Sequence, residues 1–326
     1  MALGAVIGLL GLGLLGGLPG LGWLFGAAIP YAAALVLVLG LSYRVLQWAR
    51  VPVPFRIPTT CGQQKSLPWI PPARLDNPST AAGAAGRVAL EVLAFRSLFR
   101  NTRARLVGGG DRLVYRTDLT LWAGALAMHW ALLVVLIRHL RLFTEPVPGF
   151  VTGLERLDGF LQIGLPGFMI STIVFLAALT YLLLRRLVNP QVRYISLPAD
   201  YFALLLLLGV GLTGFTLRHV LRADVADIKQ LALGLASFRP VVPAGISPLF
   251  YAHLFLVSTL AAYFPFSKLV HMPGVFLSPT RNLANNNRAV RHVNPWNYPV
   301  KVHTYEEYED ELREKMVGAG LPVEKS

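Results

Sequence analysis

The stretch SPLFYAHLFLVSTLAAYFPFSKLVHMPG at 247–274 carries two histidines, His253 and His271, in a predominantly apolar sequence. A second apolar stretch, LTLWAGALAMHWALLVVLIRHLRLF, carries His129 and His139. Ionisable side chains at membrane depth are costly and mark functional sites by default. Because a haem iron takes one imidazole on each face, two pairs on two helices predict two b-type haems, one toward each side of the bilayer.

The spacing of each pair sets where its histidines point. His253 and His271 are 18 residues apart, which is five turns of a continuous helix, so they share a face. His129 and His139 are ten residues apart, which turns them about 80° from a shared face. The unequal rises require helix tilt or one histidine beyond a helix end. We expect that histidine to be His271, because the Pro-Gly dipeptide at 273–274 follows it and ends the helix.

The composition is that of an integral membrane protein. Mean hydropathy is +0.54, and charged residues make up 14% of the chain, against about 25% in soluble domains. We predict an all-α bundle of five to six transmembrane helices, each approaching the roughly 20 apolar residues that a span needs. The stretches are about 3–18, 26–48, 119–141, 164–184, 202–220 and 248–270. The first is short and glycine-rich, and it lacks the positive start of a cleaved signal peptide.

Three regions follow from this pattern. They are an apolar segment at 1–25 that we expect to add a transmembrane helix, a dihaem membrane domain at 26–275 that includes a long loop at 49–118, and a polar tail at 276–326. The loop carries eleven of the basic residues, and the connection at 185–201 and the tail carry more. The positive-inside rule places all three of these basic segments in the cytoplasm, including the C-terminus of a multi-pass protein of the cell (inner) membrane.

The net charge of +13 is interpreted as orientation plus contact with lipid headgroups rather than as nucleic-acid binding. The single cysteine, Cys61, lies in the predicted cytoplasmic loop. No disulfide framework or iron–sulfur cluster can be built from this chain alone, so cluster chemistry must belong to a partner.

Depth in the membrane pairs the histidines. The helix with His129 and His139 runs from inside to outside, and the helix with His253 and His271 runs back. His139 and His253 therefore form an outer pair, and His129 and His271 form an inner pair, with irons ~20 Å apart along the membrane normal. The alternative is that the four side chains are buried polar residues or a proton relay.

Cations near the interfaces are candidates to bind the anionic haem propionates. They are Arg138, Arg141 and Arg218 on the outer side and Lys268 on the inner side. His219, beside Arg218 at the outer end of the fifth helix, is a candidate hydrogen-bond partner for a quinone carbonyl. Each of these residues could instead be an ordinary interfacial polar group.

The residues around the histidines resemble a known family. FYAHLFLVSTLAAYFPFSKLVHMPG at 250–274 is similar to the last helix of the respiratory nitrate reductase gamma-subunit family. His129 and His139 reproduce that family's H-x9-H pair, and RRLVNPQVR at 185–193 matches its basic connection. The resemblance covers about 26–275 and implies two bis-histidine haems b, held by the same inner and outer pairs.

The rest of the chain resembles a different branch. The N-terminal apolar segment and the tail SPTRNLANNNRAVRHVNPWNYPVKVHTYEEYEDELREKM are similar to the M-subunit family of the dissimilatory sulfite reductase-associated membrane complex. This implies electron exchange between the (mena)quinone pool and a cytoplasmic iron–sulfur, heterodisulfide-reductase-like subunit in dissimilatory sulfur metabolism. It also implies a periplasmic triheme cytochrome c, a ferredoxin-like subunit and a second membrane subunit. The quinol-site lysine of the nitrate reductase family has no counterpart in the outer loop at 142–163, which contains no lysine.

Two alternatives stay open. One is a cytochrome b subunit that serves a nitrate reductase, hydrogenase or heterodisulfide reductase. The other is a haem-free proton-coupled transporter, which would show inverted repeats and broken helices. If the chain is a cytochrome b subunit, it is an electron-transfer subunit rather than a stand-alone enzyme.

Local patterns predict three features outside the membrane. Thr304 and Glu307 form a T-x-x-E capping box, which predicts a helix at 305–317 that docks on a cytoplasmic subunit. The segment 83–106 is predicted to be a basic amphipathic helix, and VPVPFRIP at 51–58 to be extended. The GGG at 108–110 follows that predicted helix and precedes no predicted strand, which disfavours a phosphate-binding loop.

Overall fold

Five long apolar helices dominate the computed structural model, which describes residues 1–51, 62–99, 103–110, 112–159, 167–288 and 302–324. The predicted helical membrane bundle is confirmed, and the chain is a multi-pass membrane protein. The spans are Leu24–Ala49, Leu119–Phe143, Ile170–Val188, Pro198–Val220 and Pro248–Phe266. Each matches a predicted stretch, and the helix that matches the fourth begins at Ile170.

The helices and strands are numbered in chain order. The helices are α1 Ala2–Leu14, α2 Ile29–Ala49, α3 Ala81–Ala94, α4 Leu119–Phe143, α5 Gly149–Asp158, α6 Ile170–Val188, α7 Pro190–Tyr194, α8 Pro198–Phe215, α9 Val225–Ala236, α10 Pro248–Tyr263, α11 His271–Leu277, α12 Pro279–Asn282 and α13 Tyr305–Gly318. The strands are β1 Arg103–Val107 and β2 Arg112–Arg116. Helix α8 continues through a π-helical turn, Thr216–Val220, and α10 continues through a 3-10 turn, Phe264–Phe266.

The spanning helices pack as a chain of neighbours, with α4 on α6, α6 on α8, α8 on α10 and α10 on α2. One core cluster lies between α4, α6 and α8 and includes Met128, Phe175 and Leu179. Apolar side chains of this size stabilise a membrane bundle by close packing, since the lipid offers them an equally apolar environment.

The N-terminal segment packs against α10 and α8 through small residues. Its apolar helix, Ala2–Gly17 including a final 3-10 turn, is shorter than the five spans. A Cβ added at Gly16 would lie 2.6 Å from Tyr251 Cβ, and one at Gly13 would lie 2.6 Å from Ala252 Cα. The glycines on this side therefore let the two helix backbones approach closely, as small residues do at membrane helix interfaces.

The loop before α4 differs from its prediction. Helix α3 begins with the cap Thr80 and ends at Ala94, and residues 103–107 form a strand instead of continuing the predicted helix at 83–106. β1 pairs antiparallel with β2, and the GGG at 108–110 forms the turn between them. The expectation that no strand follows GGG was wrong. A phosphate-binding loop is still disfavoured, because the glycines join two antiparallel strands and no helix begins directly after them. The predicted extended segment VPVPFRIP lies, apart from its first residue, outside the described residues, as does Cys61.

The predicted tail helix is confirmed as α13, Tyr305–Gly318. Thr304 Oγ1 accepts from the backbone N–H of Glu307, and the Glu307 carboxylate accepts from the backbone N–H of Thr304. Both bonds of the capping box are present, so the helix start follows from its sequence.

Candidate functional site

The inner pair is brought together. The ring centroids of His129 and His271 are 6.1 Å apart, with their planes at 78°. Two imidazoles that bind one metal ion from opposite sides, at about 2 Å per nitrogen, have centroids about 6 Å apart. The separation of His129 and His271 is therefore that of two imidazoles that would hold one haem iron between them.

The ring orientation also suits ligation, because the Nδ1 atoms of the four histidines have hydrogen-bond partners. His129 Nδ1 lies 2.8 Å from Ala125 O, and His139 Nδ1 lies 2.7 Å from Val135 O. His271 Nδ1 lies 2.8 Å from Lys268 O. A carbonyl only accepts, so each Nδ1 carries the proton and each Nε2 keeps the lone pair that a metal binds.

His253 Nδ1 is also protonated, but its hydrogen bond is to a side chain. Its Nδ1 lies 2.9 Å from Thr213 Oγ1, and the Thr213 hydroxyl donates to Gly209 O at 2.8 Å. The hydroxyl has one proton, so it accepts from His253 Nδ1–H. A Cβ added at Gly214 would lie 3.2 Å from His253 Cε1, so this glycine leaves room for the ring beside α8. His139 lies within electrostatic range of His253, but among the described residues the two rings make no contact like that of the inner pair.

The placement of His271 corrects the helix argument. Helix α10 ends at Tyr263, and Ser267 is extended, with φ −117° and ψ 176°. His271 therefore lies beyond the spanning helix, as expected, but Pro273 and Gly274 lie within the short helix α11 instead of ending a helix. A shared face on one continuous helix does not place the two histidines, because the backbone turns between them.

Three of the four predicted propionate-binding cations are in ion pairs. Arg138 Nη1 lies 2.7 Å from Asp158 Oδ2, with both side chains less than a tenth exposed. The other pairs are Arg141 with Glu155 at 2.9 Å and Lys268 with Asp200 at 2.8 Å. Arg218 has no carboxylate within salt-bridge distance among the described residues, so it is the one of these four candidates whose charge is not neutralised by an ion pair.

His219 lies among aromatic side chains in the π-helical turn that continues the C-terminal end of α8. Its ring centroid is 5.2 Å from Phe168 and 5.0 Å from Phe215, and these two rings stack on each other. In the described part of the chain His219 Nε2 is buried without a hydrogen-bond partner. Helical spacing from His219 could have indicated Phe215, four residues earlier. Phe168 precedes α6, and no local pattern connects it to His219.

Sequence reasoning also missed the residues that surround the inner pair. Phe95 lies edge-on to His129, with centroids 4.9 Å apart at 85°. Asp200, near the start of α8, holds Lys268 three residues before His271. Both contacts join elements that are distant in sequence. Spacing along one helix therefore gives no signal for them.

Comparisons with known proteins give the relatives of this chain. Residues 88–292 match the nitrate reductase gamma subunit family. The chain is similar to the Hdr-like menaquinol oxidoreductase cytochrome b-like subunit of Archaeoglobus fulgidus, with 45% identity over 283 residues, 85% of this chain and 84% of that protein. A protein of the same name from Archaeoglobus profundus is 42% identical over 278 residues, 82% of this chain and 81% of its own length.

Proposed function

This chain belongs to the nitrate reductase gamma subunit family, and from that premise we propose that it is the dihaem cytochrome b subunit of a membrane-bound menaquinol oxidoreductase. The observation that carries the proposal is the inner pair, whose rings are 6.1 Å apart with both Nδ1 atoms hydrogen-bonded to carbonyl groups. The name of the two Archaeoglobus relatives supports menaquinol as the electron donor.

The chain's residues have separate tasks in this proposal. His129 and His271 hold the inner haem, and His139 and His253 hold the outer one. Each bound haem b supplies a one-electron carrier. The protein fixes the tautomer of each ligand through the Nδ1 hydrogen bonds, and this support strengthens metal binding. Arg218 is the cation best placed to compensate an outer propionate, since Arg138 and Arg141 already bind carboxylates.

We assign quinol binding to the surroundings of His219. The buried Nε2 of His219 would accept a hydrogen bond from a quinol hydroxyl, and the rings of Phe168 and Phe215 suit a planar aromatic headgroup. Arg218 is the neighbouring residue and supplies positive charge there. A His219→Gln variant should therefore raise the KM for a menaquinol analogue while both haems remain bound. An unchanged KM would remove His219 from the quinol site.

The orientation of the basic segments supports an inward electron path. In this proposal the basic segments 49–118, 185–201 and the tail lie on the side of the inner pair, which the positive-inside rule makes cytoplasmic. Electrons from quinol oxidised near the outer pair would then reach the inner pair and a cytoplasmic partner.

We further propose which subunits assemble with this chain. The term "Hdr-like" in the name of the relatives supports a partner subunit on the cytoplasmic side that resembles heterodisulfide reductase and carries iron–sulfur clusters. The sequence resemblance of the tail adds a periplasmic triheme cytochrome c, a ferredoxin-like subunit, a second membrane subunit and a role in dissimilatory sulfur metabolism. Helix α13 would dock on the cytoplasmic subunit. Mild-detergent purification of the native complex followed by subunit identification tests this composition, and nitrate reductase or hydrogenase subunits in its place would contradict it.

A reduced-minus-oxidised optical spectrum with haem quantification on the purified chain tests the central claim. Two non-covalent haems b per chain with low-spin, bis-imidazole spectra are expected. His253→Ala should then retain one haem, at the inner pair. A folded chain that binds no haem would refute the proposal and favour the proton-coupled transporter.

A further inference from the structure

Helix α3, outside the membrane, ends directly against the inner pair. It is followed by Phe95, whose φ of 51° and ψ of 46° are left-handed. A phenylalanine rarely adopts this conformation, because its Cβ crowds the following carbonyl. The turn places the Phe95 ring edge-on to His129, with centroids 4.9 Å apart. An unfavoured backbone conformation that persists shows that the surrounding contacts determine it.

Two indoles of α4 hold this end of α3. Trp122 Nε1 donates to Ala94 O at 2.8 Å, and Trp130 Nε1 donates to Leu93 O at 3.1 Å. The last carbonyl groups of a helix have no partner within it, so these donors satisfy groups that would otherwise need water. Trp130 follows His129 directly in sequence. The end of α3 is therefore fixed to the turn of α4 that carries the ligand.

The same helix holds the segment that follows His271. Arg87, on α3, is 6% exposed, and its guanidinium donates to three carbonyls of that segment: Thr280 O at 2.8 Å, Arg281 O at 3.1 Å and Leu283 O at 3.3 Å. It also donates to Asp76 O at 3.1 Å. Burial, followed by the neighbouring charge of Arg281, lowers the pKa of Arg87, but an arginine stays protonated at any physiological pH.

A second set of bonds joins the two segments. Arg281 Nη1 lies 2.6 Å from Glu91 Oε1 and donates to Ser97 Oγ at 2.9 Å. The backbone N–H of Asn285 donates to Pro78 O at 2.7 Å. Helix α12 therefore rests on α3 and on the residues flanking α3 through charged and backbone contacts, and α11, which precedes α12, also packs on α3. Since His271 is the first residue of α11, its position depends on this attachment.

We propose that α3 positions both ligands of the inner haem, with Phe95 setting the ring of His129 and Arg87 anchoring the segment that begins at His271. This inference rests on the proposed function. One helix outside the membrane then supports the two sides of one metal site, while the outer pair takes its Nδ1 partners from within the spanning helices. Disturbing α3 should alter the inner haem and leave the outer haem unchanged.

The test compares three variants of the full chain in detergent with both haems bound. Phe95→Leu keeps an apolar side chain but removes the ring beside His129, and Arg87→Gln removes the charge and shortens the donor set. Arg103→Gln, an exposed arginine of the β1–β2 hairpin, is the matched control. The readouts are the low-spin electron paramagnetic resonance signal of each haem, its midpoint potential and its rate of loss to a haem acceptor.

Phe95→Leu should shift the resonance signal and potential of the inner haem alone. Arg87→Gln should weaken retention of the inner haem by about 10- to 100-fold, the range seen when a group that supports a metal ligand is removed. The control should match the parent chain. Equal changes at both haems, or no change at the inner haem in either variant, would overturn the assignment of α3.

The outcomes separate this inference from the proposed function. A parent chain without haem would refute the dihaem proposal itself. A parent chain with two haems and variants with an unaltered inner haem would refute only the role of α3. If Arg87→Gln does not fold, Phe95→Leu decides the question, because its side chain contacts α4 without being part of the buried hydrogen-bond network.

Discussion

His253 Nδ1 is hydrogen-bonded to Thr213 Oγ1 at 2.9 Å, whereas the other three histidines of the two pairs bind backbone carbonyls. The outer pair thus depends on a side chain from a neighbouring helix. A backbone carbonyl cannot be removed by substitution, but a hydroxyl can. The hydrogen bond between His253 Nδ1 and Thr213 can therefore be tested directly by substitution.

Thr213→Val should weaken retention of the outer haem by about 10- to 100-fold, because the isosteric valine removes the hydroxyl that accepts from His253 Nδ1. Thr213→Ser, which keeps the hydroxyl, should behave like the parent chain. Haem content after dilution, together with the separate optical bands of the two haems, measures the effect. Equal retention by the valine and serine variants would show that the hydroxyl does not support the ligand.

Asp158→Asn should destabilise the fold by about 3–5 kcal/mol, since it leaves a buried arginine without its counter-charge. Asp158 also accepts from the backbone N–H of Ser171 at 2.7 Å, at the start of α6. Glu155→Gln is the control, because its partner Arg141 is 38% exposed and water screens such a partly exposed pair, so its contribution should be smaller, about 1 kcal/mol. Thermal unfolding in detergent measures both, and equal effects would contradict the burial argument.

Much of the bundle could be predicted from sequence, and so could the proximity of His129 and His271. Long apolar stretches locate the spans because a lipid environment demands them, and the opposite directions of α4 and α10 pair His129 with His271 by depth. The position of His271 beyond the spanning helix was also predicted, but the reason given for it was wrong. The backbone leaves the helix at Ser267, and Pro273 and Gly274 lie within α11.

The partners of charged side chains could not be predicted in the same way. Arg138 is one residue from a predicted ligand, which favoured a propionate contact, but Asp158 lies 20 residues away and reaches it only because α5 folds back. Phe95 is likewise brought to His129 by a left-handed residue at the end of α3. Such contacts depend on how elements turn, and helical periodicity carries no information about those turns.

The Asp118–Arg185 pair should give stability a pH dependence. Partial burial acts to raise the pKa of Asp118, but hydrogen bonds, that from Arg185 foremost, hold the pKa below its ordinary 3.8. A depressed folded-state pKa means that the pair stabilises the fold above pH 3.8 and that this contribution is lost as the pH falls through the folded-state pKa. The Tm difference between the parent and Asp118→Asn should therefore be full at pH 6 and shrink below pH 3.8.

The control for this pH dependence is Asp224→Asn. Asp224 caps α9, with its carboxylate accepting from Ala226 N at 2.8 Å, and asparagine caps a helix about as well as aspartate. Its Tm difference should stay small across the same pH range. If the two variants show the same profile, loss of the ion pair with Arg185 is not the cause.

Gly16→Ala should destabilise the packing of the N-terminal helix on α10 by about 1–3 kcal/mol. The added methyl group would clash with Tyr251 Cβ, which is attached to the backbone of α10 and cannot rotate away. Gly8→Ala is the matched control, since no atom lies within 4 Å of its added Cβ. Alanine favours a helix over glycine, so the control should be neutral or slightly stabilising. Thermal unfolding of the two variants would show no difference if the segment did not pack closely on α10.

His271→Ala should block electron transfer to the cytoplasmic partner while quinol still reduces the haem at His139 and His253. The inner haem loses one of its two axial ligands, and the outer pair shares no residue with it. Stopped-flow reduction by a menaquinol analogue, followed at the outer haem band and then at the partner's clusters, separates the two steps. His303→Ala, in the exposed part of the tail, should leave both steps unchanged. Undiminished transfer to the partner in the His271 variant would contradict the order from outer to inner pair.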